Sequence, residues 1–269
     1  MDEQAMVRRM AESVLKCAAD YMASNKDFDE VLKRRKTDVT RKIDMIAEEA
    51  LDAAIMHEGI SARVISEELG ERLVPANKEP QYTLVLDPID GSTNIVLGIP
   101  YFCTSLALSK KNSSATFGDI DAGAVAGITV GTFHASRGNG AYLGGDRIRT
   151  SESKGKPRYA IYSYGVGSVP KGIVDLEEEN CIVRTMGSIA MDISMAARGA
   201  FDAVIDTRER LSGYDVMASS LILKEAGGII TYINGKPLDS VPVNVSGISI
   251  LGAADTATHG RLLKYFNIP

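Results

Sequence analysis

Tryptophan is absent from the 269-residue chain, and phenylalanine, tyrosine and tryptophan together make up only 6% of it. Aliphatic side chains and alanine must therefore fill the core. Cysteine is nearly as scarce: Cys17, Cys103 and Cys181 are odd in number and far apart, which excludes both a disulfide framework and a zinc cluster. No window approaches the roughly 18 uninterrupted apolar residues of a membrane span, and Met1-Asp2-Glu3-Gln4 opens no basic-then-apolar leader. A cytoplasmic location and no membrane partner are expected. Positive charge is also short. A net charge of −5 argues against nucleic acid, because binding a phosphate backbone needs a basic surface. The run Lys33-Arg34-Arg35-Lys36 is the exception, and it reads as a solvated loop. The three histidines, His57, His134 and His259, have no partner spacing and receive no role.

What is present is an apolar run, Tyr82 to Leu86, ending in Asp87-Pro88-Ile89-Asp90-Gly91-Ser92-Thr93-Asn94. Two carboxylates close a strand, and a glycine and two hydroxyls follow. Acids beside anion-binding amides make sense if a divalent cation lies between them and an anionic ligand. Hard oxygen ligands suit Mg2+, with the Ile89 carbonyl as a third oxygen. Gly91 would let the backbone approach a phosphate, and the Ser92 and Thr93 amides would point at it if a helix starts there. Metal-assisted chemistry on a phosphate ester is the first reading.

Along the chain, Met6, Met10, Val14, Cys17, Ala18 and Tyr21 recur at helical spacing, as do Ile43, Ile46, Ala47, Ala50, Leu51, Ala54 and Ile55. The polar segment from Asn25 to Thr40 between them reads as a mobile loop. Strands are expected around Arg63 to Ile65, Tyr101 to Lys110, Gly123 to Phe133, Tyr159 to Tyr164, Phe201 to Ile205 and Ile229 to Ile233. Hairpin turns are expected within Ser136 to Arg149, where Gly138-Asn139-Gly140 and Gly144-Gly145 read as turns and not as a nucleotide loop. Helices are expected over Ser188 to Arg198 and Tyr214 to Ala226, closed by Gly199 and Gly227-Gly228. Glycine-broken hairpins forbid a purely parallel sheet, so the expected fold is a layered α-β-α-β-α sandwich with mixed sheets. Lys154-Gly155-Lys156-Pro157 is the candidate boundary between residues 1–153, with most acids, and residues 154–269, the two acting as one catalytic unit.

Taken alone, Glu67 reads as a surface acid and Asp215 as a helix cap. Taken together, four segments resemble the inositol monophosphatase and fructose-1,6-bisphosphatase superfamily of Mg2+-dependent phosphatases: Lys36 to Asp44, Ser66-Glu67-Glu68, Asp87 to Thr93, and Tyr214 to Ala218 closing with Glu225 to Gly228. The third is highly specific, and the resemblance covers essentially the whole chain. It implies that Glu67, Asp87 and the Ile89 carbonyl bind one Mg2+, and that Asp87, Asp90 and Asp215 bind a second. A third, weaker ion would sit near Glu67 and the loop bearing Asp38, and Mn2+ would be able to substitute. The attacking water would be activated by metal, by Glu67, and by Ser92 paired with Asp44. Gly91, Ser92 and Thr93 would hold the phosphate; Arg184, Gly187, Ser188 and Ile189 match a substrate-contacting segment, and Lys36, on the loop near the third ion, would also bind substrate.

Inositol-preferring members usually carry a glutamate about seven residues before the second-motif aspartate, where this chain has Arg208. A guanidinium there could pair with a second phosphate, so Arg208 points to fructose 1,6-bisphosphate alongside inositol 1-phosphate. A salt-bridging surface arginine is the competing account. Ile95, Tyr214 and Met217 depart from the family pattern and qualify substrate fit more than metal binding. A haloacid-dehalogenase-type phosphatase, with aspartates two apart and a phosphoaspartate intermediate, fits poorly because Asp87 and Asp90 are three apart. A nucleotide-type phosphatase acting on adenosine 3',5'-bisphosphate or NADP and a catalytically silent binding homologue are the remaining alternatives. The family also implies a homodimer.

Overall fold

A computed structural model of the chain describes residues 2–34, 39–151, 155–165, 167 and 169–266. Its first half runs α1 (Glu3–Ser24), β1 (Val31–Arg34), β2 (Val39–Arg41), α2 (Lys42–His57), β3 (Ala62–Ser66), β4 (Gly70–Val74), β5 (Tyr82–Asp90), α3 (Ser92–Val96), β6 (Cys103–Ser109), β7 (Ala122–Gly127), β8 (Gly131–Ser136), β9 (Gly140–Leu143) and β10 (Asp146–Ile148). There follow β11 (Arg158–Tyr162), α4 (Lys171–Glu177), β12 (Ile182–Arg184), α5 (Ile189–Ala197), β13 (Ala203–Leu211), α6 (Gly213–Glu225), β14 (Ile229–Tyr232), β15 (Ile248–Ala253) and α7 (Thr256–Leu263).

Two mixed sheets organise these elements. One has eight strands in the order β10-β9-β8-β7-β6-β5-β3-β4; the other has five, β12-β11-β13-β15-β14. Helices α1 and α2 pack together on the outer face of the larger sheet, where Met6, Met10, Val14, Ile43, Leu51 and Ile55 are buried with Leu84, Leu86 and Leu106. Between the sheets lie α5 and α6. Their alanines, Met191 and Met217 share one core with Val85, Val125, Phe133, Val204 and Ile250, and small side chains let α6 approach β7 closely, with Gly123 against Ala218. On the far side, Ile173, Leu176 and Leu262 cover Tyr159, Ile161 and Leu251. The result is the α-β-α-β-α layering expected from the sequence.

Two local expectations need amendment. The segment read as a mobile loop holds β1 and β2, an antiparallel ribbon on its described part; residues 35–38, with Lys36 and Asp38, lie outside the described residues. Cys17, placed on the apolar stripe of α1 by spacing, is exposed and lies outside the buried stripe of Met6, Met10, Val14 and Ala18. The glycine pairs behave as turns: Gly138 and Gly140 both take positive φ in the β8–β9 connection, and Glu225 accepts from both their amides.

Candidate active site

The site begins where β5 stops being regular. Asp87 pairs with Ser105 and Asp90 with Cys103, so three steps along β5 match two along β6. Pro88 has no amide to donate, and a bulge of this kind is where proline is tolerated within a sheet. Its consequence is geometric. Residues three apart in a regular strand point to opposite faces, and the extra residue brings Asp87 and Asp90 to the same side. Gly91 then turns the chain at φ 102°, with only about 3 Å left beside it before the Tyr101 carbonyl and Phe102, so a side chain fits neither the angle nor the space. Helix α3 starts at Ser92, and its first amides have no carbonyl within the helix to bond.

Asp87 is almost wholly buried, at 2% exposure. Burial drives its carboxyl well above the usual range, and the charges of Glu67, Asp90 and Asp215 together with a hydrogen bond to Glu67 push the same way. Asp90 is raised by burial too, against hydrogen bonds from Ser188 Oγ and the Ala190 amide, both 2.7 Å, and the charge of Arg208. Asp215 sits in the first turn of α6, where it accepts from the Ser212 amide as a capping residue; burial still pushes it up to about 8. Asp90 and Asp215 keep part of their surface open to a cavity, while protein walls them in elsewhere.

As the side chains stand, no three His, Cys, Asp or Glu groups among the described residues are drawn tightly around a single point. The fit to a divalent cation rests instead on charge. Asp90 and Asp215 border the cavity and Asp87 is buried beside them; the charges of both raise the Asp87 carboxyl, that of Asp90 raises Asp215, and among the described residues no Lys or Arg forms an ion pair with any of the three. A hard dication is the chemical group that would let them ionise together.

The cavity has a volume of 760 Å3, and its lining joins Asp90 and Asp215, with Glu67 and the Gly91–Asn94 turn, to Gly187, Ile189 and Arg208. Arg208 bonds Asp206 through Nε at 2.8 Å and Nη2 at 2.6 Å. Its guanidinium lies 4.7 Å from the centre of the Tyr162 ring and 4.8 Å from that of Tyr164. This is a clamped cation at the site, not a surface salt bridge. Arg210, two residues on, also lines the cavity and donates to the Gly165 carbonyl. Sequence reasoning missed Tyr162, Tyr164, Asp206 and Arg210. The sequence did carry a partial signal, since Tyr162 and Tyr164, and Asp206, Arg208 and Arg210, each recur at every second position near a strand end.

The other expected residues divide. Ser92 and Thr93 line the cavity. Asp44 is buried at the third position of α2, where it accepts from the Arg41 amide at 2.7 Å. Ile89 is buried, with its amide on Asp87 at 3.0 Å. Ser188 is fully buried behind Asp90 and orients it, outside the lining itself. Arg184 is exposed on the edge strand β12, turned back to the Val183 carbonyl, and does not line the cavity. Asp38 and Lys36 lie outside the described residues.

The model of the inositol monophosphatase family matches residues 3–268. The chain belongs to the inositol monophosphatase family. Among relatives, a fructose-1,6-bisphosphatase/inositol-1-monophosphatase of Methanothermobacter thermautotrophicus is 27% identical across 97% of this chain and 95% of its own. A bifunctional NADP phosphatase/NAD kinase of Methanococcus maripaludis is 29% identical across 99% of this chain and 49% of its own. The solved structure of a Thermotoga maritima IMPase superposes with a TM-score of 0.79 at 25% identity, covering 99% of this chain and 97% of that one. The fold of the family thus extends over both sheets and the cavity between them. No described helix of this family member is long and apolar enough to cross a membrane.

Proposed function

We propose that this member of the inositol monophosphatase family is a divalent-metal-dependent phosphatase of sugar and polyol phosphate monoesters, with inositol 1-phosphate and fructose 1,6-bisphosphate as substrates. The observation that carries the reading is the pairing, in one cavity, of the carboxylates of Asp90 and Asp215, with Asp87 buried beside them, and a clamped guanidinium at Arg208. A phosphate monoester is a dianion and would be repelled by those carboxylates alone. Glu67, Asp87 and the Ile89 carbonyl would hold one Mg2+, and Asp87, Asp90 and Asp215 a second; a third ion would involve Glu67 and the loop bearing Asp38, and Mn2+ would serve in place of Mg2+. Bound metal supplies Lewis-acid charge that offsets the carboxylates and favours ionisation of water.

The chain's own groups do the rest. The Gly91 turn and the Ser92 and Thr93 amides orient the phosphoryl oxygens, as a helix start does for anions. Glu67 takes the proton of the attacking water, aided by the Ser92 hydroxyl with Asp44 behind it. Gly187 and Ile189 bound the polyol, and Arg208 meets a second phosphate. The two halves of the chain act as one catalytic unit, because Asp215 comes from the helix that both sheets enclose. We place the enzyme in the cytoplasm and read it as a homodimer, the latter supported by exposed Val96 and Leu97 just after the phosphate turn. A nucleotide phosphate is the second reading: the Tyr164 ring, 52% exposed at the cavity rim, offers a stacking face for a base.

Substrate choice is tested by phosphate release from inositol 1-phosphate, fructose 1,6-bisphosphate and NADP, with wild type and Arg208→Ala. We expect turnover of the first two and at least a tenfold loss of kcat/KM in Arg208→Ala confined to the bisphosphate, about 1.4 kcal/mol or more. Equal losses on both substrates would remove Arg208 from the second-phosphate role.

A further inference from the structure

Asp192 is a fully buried carboxylate in α5 that is neither a cavity-lining group nor a candidate metal ligand. Its Oδ1 accepts from the Tyr101 hydroxyl at 2.5 Å and its Oδ2 from the Tyr162 hydroxyl at 2.6 Å. Each tyrosine connects Asp192 to the site by its own contacts. The Tyr101 carbonyl accepts from Asn94 Nδ2 at 2.6 Å, and the same amide donates to the Met186 carbonyl at 2.8 Å; Asn94 closes the phosphate turn. Tyr162 lies under the Arg208 guanidinium, and its oxygen accepts from the Gly187 amide at 3.2 Å.

We propose that Asp192 is a positioning residue for substrate selectivity: through the Tyr162 hydroxyl it fixes and polarises the ring on which Arg208 rests, and so sets the affinity for substrates carrying a second anionic group. The inference rests on the assignment of Arg208 to such a group. The physical basis has two parts. A phenol that donates to a carboxylate carries more electron density on its ring, which strengthens the attraction for a cation over the face. A ring held at its hydroxyl cannot slide, so the guanidinium meets its ligand already oriented, and less freedom is lost on binding. The Asp206 contact alone fixes Arg208 only at one side. The bond to Tyr101 ties the same carboxylate to the residue whose carbonyl holds Asn94 of the phosphate turn.

The test is equilibrium binding by calorimetry, with Ca2+ present as a non-turnover cation. The ligands are fructose 1,6-bisphosphate and inorganic phosphate, and the proteins are wild type, Asp192→Asn, Tyr162→Phe, Arg208→Ala and Tyr162→Phe/Arg208→Ala. Tyr162→Phe keeps the ring and loses only the hydroxyl, so it stands in if Asp192→Asn folds poorly. We expect each single variant to weaken the bisphosphate about tenfold while inorganic phosphate changes less than about twofold, and Tyr162→Phe to add nothing once Arg208 is gone. Parallel weakening of both ligands would reduce Asp192 to a packing role and overturn the inference. So would an unchanged bisphosphate affinity, or a full additional loss in the double variant. Wild type that binds the bisphosphate through Arg208 yet releases no phosphate with Mg2+ would sink the phosphatase reading and leave this inference standing.

Discussion

At the scale of single residues, the molecule places buried charge in two ways. Around Asp87 the carboxylates face one another, so that their joint ionisation calls for a cation. Around Glu48 the charge is paired at once: Arg72 bonds Glu48 at 2.8 Å, Asp52 at 2.7 Å and Ser66 Oγ at 3.0 Å, and Glu48 is fully buried. Breaking a buried pair from one side strands the other charge. Arg72→Ala is therefore expected to cost about 3–5 kcal/mol in urea unfolding, against under 1 kcal/mol for an exposed pair. A loss below about 1 kcal/mol would mean that Glu48 finds another partner or a proton. Neither Glu48 nor Arg72 announced itself in the sequence, because pairing across 24 positions leaves no local pattern. Asp87 and Asp90 did, because a strand end, a proline and a glycine sit side by side. Arg208 stood between the two cases. Its type and offset were legible, but the tyrosines and the aspartate that make it a fixed cation come from separate segments or a shared strand face.

At the scale of elements, the expected helices and most strands appeared because their periodicities are clean. The ribbon of β1 and β2 did not, since its burial is slight and its residues are largely polar. Strand β13 is also irregular in a way spacing could not reveal. Its pairing with β15 breaks between Asp206 and Leu211, and Glu209 takes φ 54° in the gap, where its amide donates to Ser249 Oγ at 2.8 Å. This left-handed residue turns the strand end that carries Arg208 and Arg210. A side chain in that region costs about 1–2 kcal/mol, and glycine loses about 0.4–1 kcal/mol in extra unfolded-state freedom. Glu209→Gly is therefore expected to stabilise by about 0.5 kcal/mol, read from the denaturation midpoint with an unchanged slope. A loss of stability would show that the glutamate side chain makes a contact worth more than its strain.

For the whole molecule, the cavity lies where the two sheets, α3 and α6 meet, so activity and global folding are coupled. Two histidines tune that stability with pH. His134 and His259 are buried, and burial lowers the pKa of each. His259 Nε2 contacts Thr231 Oγ1 at 2.9 Å, tying α7 to β14. Between the folded pKa and the ordinary value near 6.5 the unfolded chain binds more protons, so stability falls as pH drops through that window. With Mg2+ saturating, the stability advantage of wild type over His259→Gln is expected to shrink from pH 7 to pH 5. A constant difference across that range would contradict the shift.

The most direct test of the central claim is phosphate release from inositol 1-phosphate in Mg2+, in excess chelator, and after Mg2+ is restored, alongside Asp90→Asn under the same conditions. Turnover is expected to vanish with chelator and to return with Mg2+. At least about a hundredfold loss is expected in Asp90→Asn, whose melting temperature without metal does not fall below that of wild type. Undiminished turnover in excess chelator, or full activity in Asp90→Asn, would contradict metal-dependent turnover at this site.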